Sequence, residues 1–200
     1  DSGSSRGLGD VYKRQGIGSS AASSAGTVFA INQLLDSPFS LLDLVKFSME
    51  GEKFVSGAYH ADNVAPIIFG GITLVRTIDD LDIIPLPTPK DLEVVIVRPN
   101  IEIKTADSRK VVKKKVKIEK MTQQSANLGS FVSSLYSEDY DLMSRSVIDQ
   151  VVEPDRAVLI PEFDKVKMIS KDSGSIAAGI SGSGPSIFSL SNNRVTYNNI

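Results

Sequence analysis

Among the 200 residues, the run Gly16-Ile17-Gly18-Ser19-Ser20-Ala21-Ala22-Ser23 carries the plainest chemistry, because it opens directly onto a helical pattern. Glycines let backbone approach an anion closely, and a helix starting at Ser19 or Ser20 aims unpaired N–H groups and the positive end of its dipole at that anion. The run is therefore a candidate phosphate cradle. It lacks the Lys of G-x-x-x-x-G-K-[ST], and no Val/Ile strand leads into it, so neither a P-loop nor a Rossmann turn is present. On its own, a Gly/Ser run serves equally well as a linker or a plain helix cap.

The elements that must hold this cradle follow from apolar periodicity and from breakers. Residues 21–35 are mostly small and apolar, which predicts a helix buried on several sides; Asp36-Ser37-Pro38 ends it. Ser40 with Asp43 makes an S-x-x-D capping signature, and Leu41, Leu44, Val45, Ser48, Met49 and Glu52 recur at helical spacing toward Gly57. Glu52 thus falls on the last turns of a second helix. A short element over 63–69 ends at Gly70-Gly71, strands are predicted at 72–76 and 83–86, and Pro85, Pro87 and Pro89 punctuate the chain before another strand at 92–97. A domain boundary is placed near Lys90, giving units 16–89 and 90–200. Beyond it, Lys113, Lys114, Lys115 and Lys117 read as a solvated face, helices are predicted at 125–136, 139–151 and 163–169, and Ser186–Leu190 reads as a strand. Strands and helices interleave without regular βα alternation, which predicts an α+β fold.

Composition narrows the chemistry further. Hydrophobic residues at 41%, charged residues at 23% and a net charge of -2 are ordinary for a globular protein and give no global attraction to nucleic acid or an anionic membrane. No apolar run approaches the roughly 20 residues that span a bilayer. With no Cys, and His60 as the only histidine, thiolate and multi-His metal sites and a thiol nucleophile are excluded. A reducing cytoplasm fits this usage. Residues 1–15 show no periodicity, and Ser5–Gln15 resemble the translation of a transposon-type sequencing-library adapter, so residues 1–15 are expected to be foreign to the natural protein. Native sequence is then expected before Gly16, and also after Ile200, where the last strand is left without following partners.

Three blocks in order, GIGSSAAS at 16–23, GAYHADNVAP at 57–66 and GISGSGPS at 179–186, resemble the homoserine kinases of the GHMP superfamily, which also holds the galactokinases, mevalonate kinases and phosphomevalonate kinases. Gly16–Ala21 matches the second half of the superfamily loop P-x-x-G-L-G-S-S-A; Lys13, Arg14 and Gln15 stand where its first half should be. The block around His60-Ala61-Asp62-Asn63 is the more specific, since related kinases carry an Asp where homoserine kinases have Asn. The resemblance implies a two-domain α+β architecture: a domain like domain 2 of ribosomal protein S5, then a ferredoxin-like domain, each incomplete here.

It also implies ATP phosphates at Gly16, Ile17, Gly18, Ser19, Ser20 and Ala21, Mg²⁺ held by Ser19 or Ser20 with Glu52, and Asn63 beside the reacting centre. His60, Arg109 and Arg156 would contact L-homoserine, with Gly182, Ser183 and Gly184 supporting the substrate region. The implied reaction is ATP-dependent formation of O-phospho-L-homoserine for threonine synthesis; the resemblance leaves a homodimer open. A mevalonate- or sugar-type kinase and a non-catalytic nucleotide-binding relative are the competing readings. Chemistry suits the assignments: Mg²⁺ needs only a carboxylate and a hydroxyl beside phosphates, an Asn carboxamide can align groups but takes up no proton, and an Arg fork matches a carboxylate. Taken singly, Glu52 reads as a solvated helix residue, Asn63 as a helix cap, His60 as a structural histidine and the arginines as surface charges. Their ordered coincidence favours the kinase.

Overall fold

The computed structural model describes residues 16–56, 59–103 and 105–193. The expectations for residues 1–15, for Gly57 and for the chain after residue 193 lie outside them. Contacts divide the chain into two units, one running from Gly18 to Thr88 and the other comprising Gly16, Ile17 and the residues from Pro89 onward.

In the first unit, α1 (Ser19–Leu34), α2 (Leu41–Ser56) and α3 (Val64–Phe69) precede a hairpin of β1 (Ile72–Thr77) and β2 (Asp82–Leu86). The capping box forms as the sequence predicts: the Asp43 N–H donates to Ser40 Oγ at 3.2 Å and the Ser40 N–H to Asp43 Oδ2 at 3.2 Å. Gly70 and Gly71, both at positive φ, turn the chain from α3 into β1. The antiparallel register sets Ile72 opposite Leu86 and Leu74 opposite Ile84. Ala21, Val45, Met49, Ala61, Val64 and Leu81 form the core, with Ile68, Phe69, Val75 and Ile83 packed on it.

The expectation that the first helix is buried on several sides is corrected. Only Ala21, Ala25 and Asn32 are buried in α1, while Phe29, Ile31 and Leu34 stand exposed. The reason is that α1 meets α2 along its small residues: Ser24 Oγ donates to the Ser48 carbonyl at 2.7 Å. Gly51 permits that approach, since a Cβ there would lie 2.2 Å from Ser24 Oγ.

The second unit contains β3 (Glu93–Val97), α4 (Thr105–Val111), α5 (Ile118–Ser137), α6 (Tyr140–Ser146), α7 (Glu153–Arg156), a 3-10 turn (Ala157–Leu159), α8 (Phe163–Asp172), β4 (Ala177–Ile180) and β5 (Ile187–Ser191). Its sheet has the order β3-β5-β4, antiparallel throughout, with Val97 and Ile180 both opposite Ile187. Ile103, Ile160, Phe163 and Ile187 form its core. Helices with antiparallel strands make the α+β class that the sequence predicts.

Three expectations are revised here. The polar segment before the lysines contains α4, and α5 starts at Ile118 rather than near Ser125, with Lys117 in extended conformation before it. The helix expected over 139–151 stops at Ser146. Apolar spacing continues beyond that point through Ile148, Val151 and Val152, but the Asp149 carboxylate accepts the N–H groups of Val151, Val152 and Glu153 at 2.8, 2.8 and 3.1 Å and starts a new turn.

Candidate active site

In the first unit, α1 begins at Gly18, whose φ of 68° and ψ of 31° place it in the left-handed region, and no side chain caps the helix. The first-turn N–H groups, including those of Ser20 and Ala21, therefore lack the side-chain acceptor that many helix starts have. The Ala21 side chain is spent in the core, so only its backbone remains for an anion. Ser20 Oγ donates to Glu52 Oε2 at 3.1 Å. This pairing follows from the α1–α2 contact: Ser20 and Ser24 are one turn apart on α1, and they meet Glu52 and Ser48, one turn apart on α2. Glu52 is buried, at 6% exposure, so it is not the solvated helix residue that it resembles in isolation. Ser20 rather than Ser19 is the serine hydrogen-bonded to it. A hydroxyl and a carboxylate oxygen this close form a donor set that suits a hard cation such as Mg²⁺.

Asn63 occupies the N-cap position of α3, yet its side chain makes no cap hydrogen bond. Instead it lies against the loop: a Cβ on Gly18 would sit 3.3 Å from Asn63 Oδ1. The Asp62 carboxylate accepts the Asn63 N–H at 3.1 Å, which helps set this turn. His60 precedes it and is half-buried.

In the second unit, Gly16 packs against the later glycine loop. Ser181 Oγ donates to the Gly16 carbonyl at 2.7 Å, and a Cβ on Gly16 would lie 2.6 Å from the Gly184 carbonyl oxygen. Glycine is required at 16 by that backbone contact as well as by its φ of 73°. The exposed Ile17 follows it in the chain.

Arg156, on α7, donates from Nη1 to the Gly182 carbonyl at 2.7 Å. Its Nε is buried with no hydrogen-bond partner among the described residues. Burial pushes its pKa down, the Asp149 carboxylate pulls it up, and the positive charge of Arg109 lowers it again. Arg109 is thus close enough to be felt, and two cations gathered in one place favour an anionic partner. The turn bearing Arg156 is braced by neighbouring acids. Glu153 pairs with Lys167 and accepts the Ile180 N–H at 3.2 Å. Asp155 accepts the Lys113 N–H at 2.9 Å and pairs with its ammonium at 3.0 Å; these bonds hold its carboxyl below the usual range. A cavity of about 380 Å³ also touches Arg156 and Gly182, but Leu128, Phe131, Ile148, Phe188 and Leu190 make much of its wall apolar.

The structure thus brings together Ser20 with Glu52, Gly18 with Asn63, and Arg156 with Gly182 and Arg109. Sequence reasoning missed Ser108, Asp149, Ser181 and Gly51. Asp149 had a usable signal, an acid four residues ahead of the helix-opening Glu153-Pro154.

Two family models match in order: the GHMP kinases N terminal domain over residues 7–71 and the GHMP kinases C terminal domain over residues 131–199. The chain belongs to the GHMP kinases. It is 44% identical over 181 residues to the homoserine kinase of Chlorobaculum tepidum, covering 90% of this chain and 56% of that protein. The homoserine kinase of Methanococcus maripaludis is 43% identical over 176 residues, with 88% and 58% covered. Among solved structures, homoserine kinase from Cytophaga hutchinsonii superposes with a TM-score of 0.91 at 45% identity, over 94% of this chain and 60% of that one. A putative homoserine kinase from Listeria monocytogenes, at 20% identity and a TM-score of 0.70 over 94% of this chain and 61% of that one, shares the fold. This GHMP kinase chain therefore spans somewhat over half the length of the relatives it matches.

Proposed function

We propose that this GHMP kinase sequence serves the MgATP-dependent phosphorylation of L-homoserine, giving O-phospho-L-homoserine and ADP. The acceptor hydroxyl oxygen forms a bond to the γ-phosphorus, the bond from that phosphorus to the β,γ-bridging oxygen breaks, and the hydroxyl proton is released. Support comes from the relatives named homoserine kinase in Chlorobaculum tepidum and Methanococcus maripaludis, and from Asn63 where mevalonate- and sugar-type kinases carry Asp. The observation that carries the acceptor assignment is Arg156 Nε, buried without an acceptor beside a second arginine. A carboxylate-bearing substrate supplies what that donor lacks.

In this reading the α1 N-terminus and the Gly18–Ser20 backbone receive phosphate oxygens, and Ser20 and Glu52 hold Mg²⁺. The cation, when bound, neutralises charge building on the phosphates. Asn63 aligns the hydroxyl or the γ-phosphate, and His60 contacts the substrate. Arg109 and Arg156 bind the homoserine carboxylate, and the Gly182–Gly184 turn supports them. Phosphoryl transfer depends chiefly on such positioning and charge stabilisation. The product would enter threonine synthesis in the cytoplasm.

The test is acceptor selectivity of the gene's full-length product with MgATP. L-Homoserine is expected to be phosphorylated with a far higher kcat/KM than mevalonate or galactose. Comparable values on mevalonate and homoserine would contradict the assignment.

A further inference from the structure

We propose that Ser108 is a positioning residue for carboxylate recognition, its hydroxyl tying the helix that carries Arg109 to the same glycine turn that Arg156 grips. The inference rests on the homoserine reading above. Ser108 sits on α4 immediately before Arg109 and is completely buried. Its Oγ donates to the Ser183 carbonyl at 2.8 Å, across 75 residues of sequence. One residue earlier, the Gly182 carbonyl accepts from Arg156 Nη1 at 2.7 Å. Two adjacent carbonyls of one turn thus receive the hydroxyl beside one arginine and the guanidinium of the other.

The same two helices are joined a second time, where the Asp155 carboxylate takes the N–H and the ammonium of Lys113, just past the end of α4. The Lys113 link holds the C-terminal end of α4, whereas the Ser108 bond holds the turn that bears Arg109. A planar fork recognises a carboxylate only when its donors are held at the right separation and tilt. Ser108 touches neither substrate nor reacting atoms in this scheme; it sets where one of the two forks stands relative to the other.

Removing the hydroxyl leaves the helix intact and forfeits one hydrogen bond, so the effect should appear in recognition before it appears in folding. The readout compares L-homoserine with 3-amino-1-propanol, which keeps the amine and the hydroxyl and lacks the carboxylate, using the gene's full-length product. Ser108→Ala is expected to lower the homoserine-to-aminopropanol ratio of kcat/KM by about tenfold. The loss should lie in the homoserine KM rather than in the KM for MgATP. Ser108→Thr, which keeps the hydroxyl, should restore most of the ratio. Equal losses on both acceptors, or a ratio unchanged by Ser108→Ala in a protein with an undisturbed melting temperature, would overturn the positioning role. A wild-type protein that shows no preference for homoserine over aminopropanol would instead overturn the arginine–carboxylate reading, and the role of Ser108 with it.

Discussion

Glu52 and Arg109 stand in different units, and each is surrounded by different chemistry. Glu52 is a buried carboxylate bonded to a helix-start serine, so its proposed work concerns the metal-bound phosphates. Arg109 is exposed, and its charge adds to the burial that lowers the Arg156 pKa, so its proposed work concerns the acceptor. Their loss should therefore be separable. In the full-length product, Glu52→Ala is expected to reduce kcat by on the order of 10²-fold or more, because it removes charge stabilisation realised in the transition state. Arg109→Ala should chiefly raise the homoserine KM while leaving the KM for MgATP near its starting value. Steady-state kinetics with each substrate varied separately decides the matter; near-wild-type constants for both variants would contradict both roles.

At the scale of elements, α2 carries Glu52 and depends on a start signal that titrates. The Ser40 hydroxyl and then the Ser40 N–H bond the Asp43 carboxylate, and Lys46 adds its charge; together they hold the Asp43 pKa below the ordinary value of 3.8. A depressed carboxylate pKa means that the cap stabilises the fold above the unfolded value and ceases to do so as pH falls through the folded one. The melting temperature of Asp43→Ala should accordingly lie below that of the unsubstituted chain at neutral pH, and the two should converge below the usual carboxylate range. A gap that persists unchanged into acid would show that the box contributes through packing alone. This box was legible in sequence because its chemistry is local, and so were α3, β1 and β5, whose apolar runs end at glycines or turns. Less local determinants were not legible. The break after α6 depends on Asp149 reaching forward to three N–H groups, and the Ser108–Ser183 bond spans most of the second unit's sequence. The candidate site divides the same way. Residue types and motif order named Glu52, Asn63 and the arginines, whereas choosing Ser20 over Ser19, and seeing that Gly16 meets the later loop, required the packing.

At the scale of the whole molecule, both GHMP matches are present on a chain somewhat over half its relatives' length. Each unit leaves large apolar side chains in water: Leu34 at 84% and Phe54 at 93% exposure in the first, Ile118 at 72% and Val158 at 78% in the second. Scattered apolar residues on a surface are ordinary. Phe29, Leu34, Leu35, Phe39, Leu41 and Leu42 are all exposed and fall close together in the sequence, from the second half of α1 to the start of α2. Where such side chains share a patch, apolar surface favours association with other surfaces. In the proposed phosphate loop a Cβ at Gly16 would meet the Gly184 carbonyl and one at Gly18 the Asn63 side chain, and misplacing reacting groups by about 1 Å can cost roughly 10²-fold in rate. The 200-residue chain by itself is therefore expected to bind a hydrophobic dye, to associate as its concentration rises, and to release little ADP in response to homoserine. If the proposed function holds, the gene's full-length product should show less dye binding and homoserine-dependent turnover. Light scattering, dye fluorescence and coupled ADP release, measured side by side on the two proteins, provide the comparison; a monodisperse, dye-negative 200-residue chain with undiminished turnover would show that these surfaces and the loop need nothing beyond the chain itself.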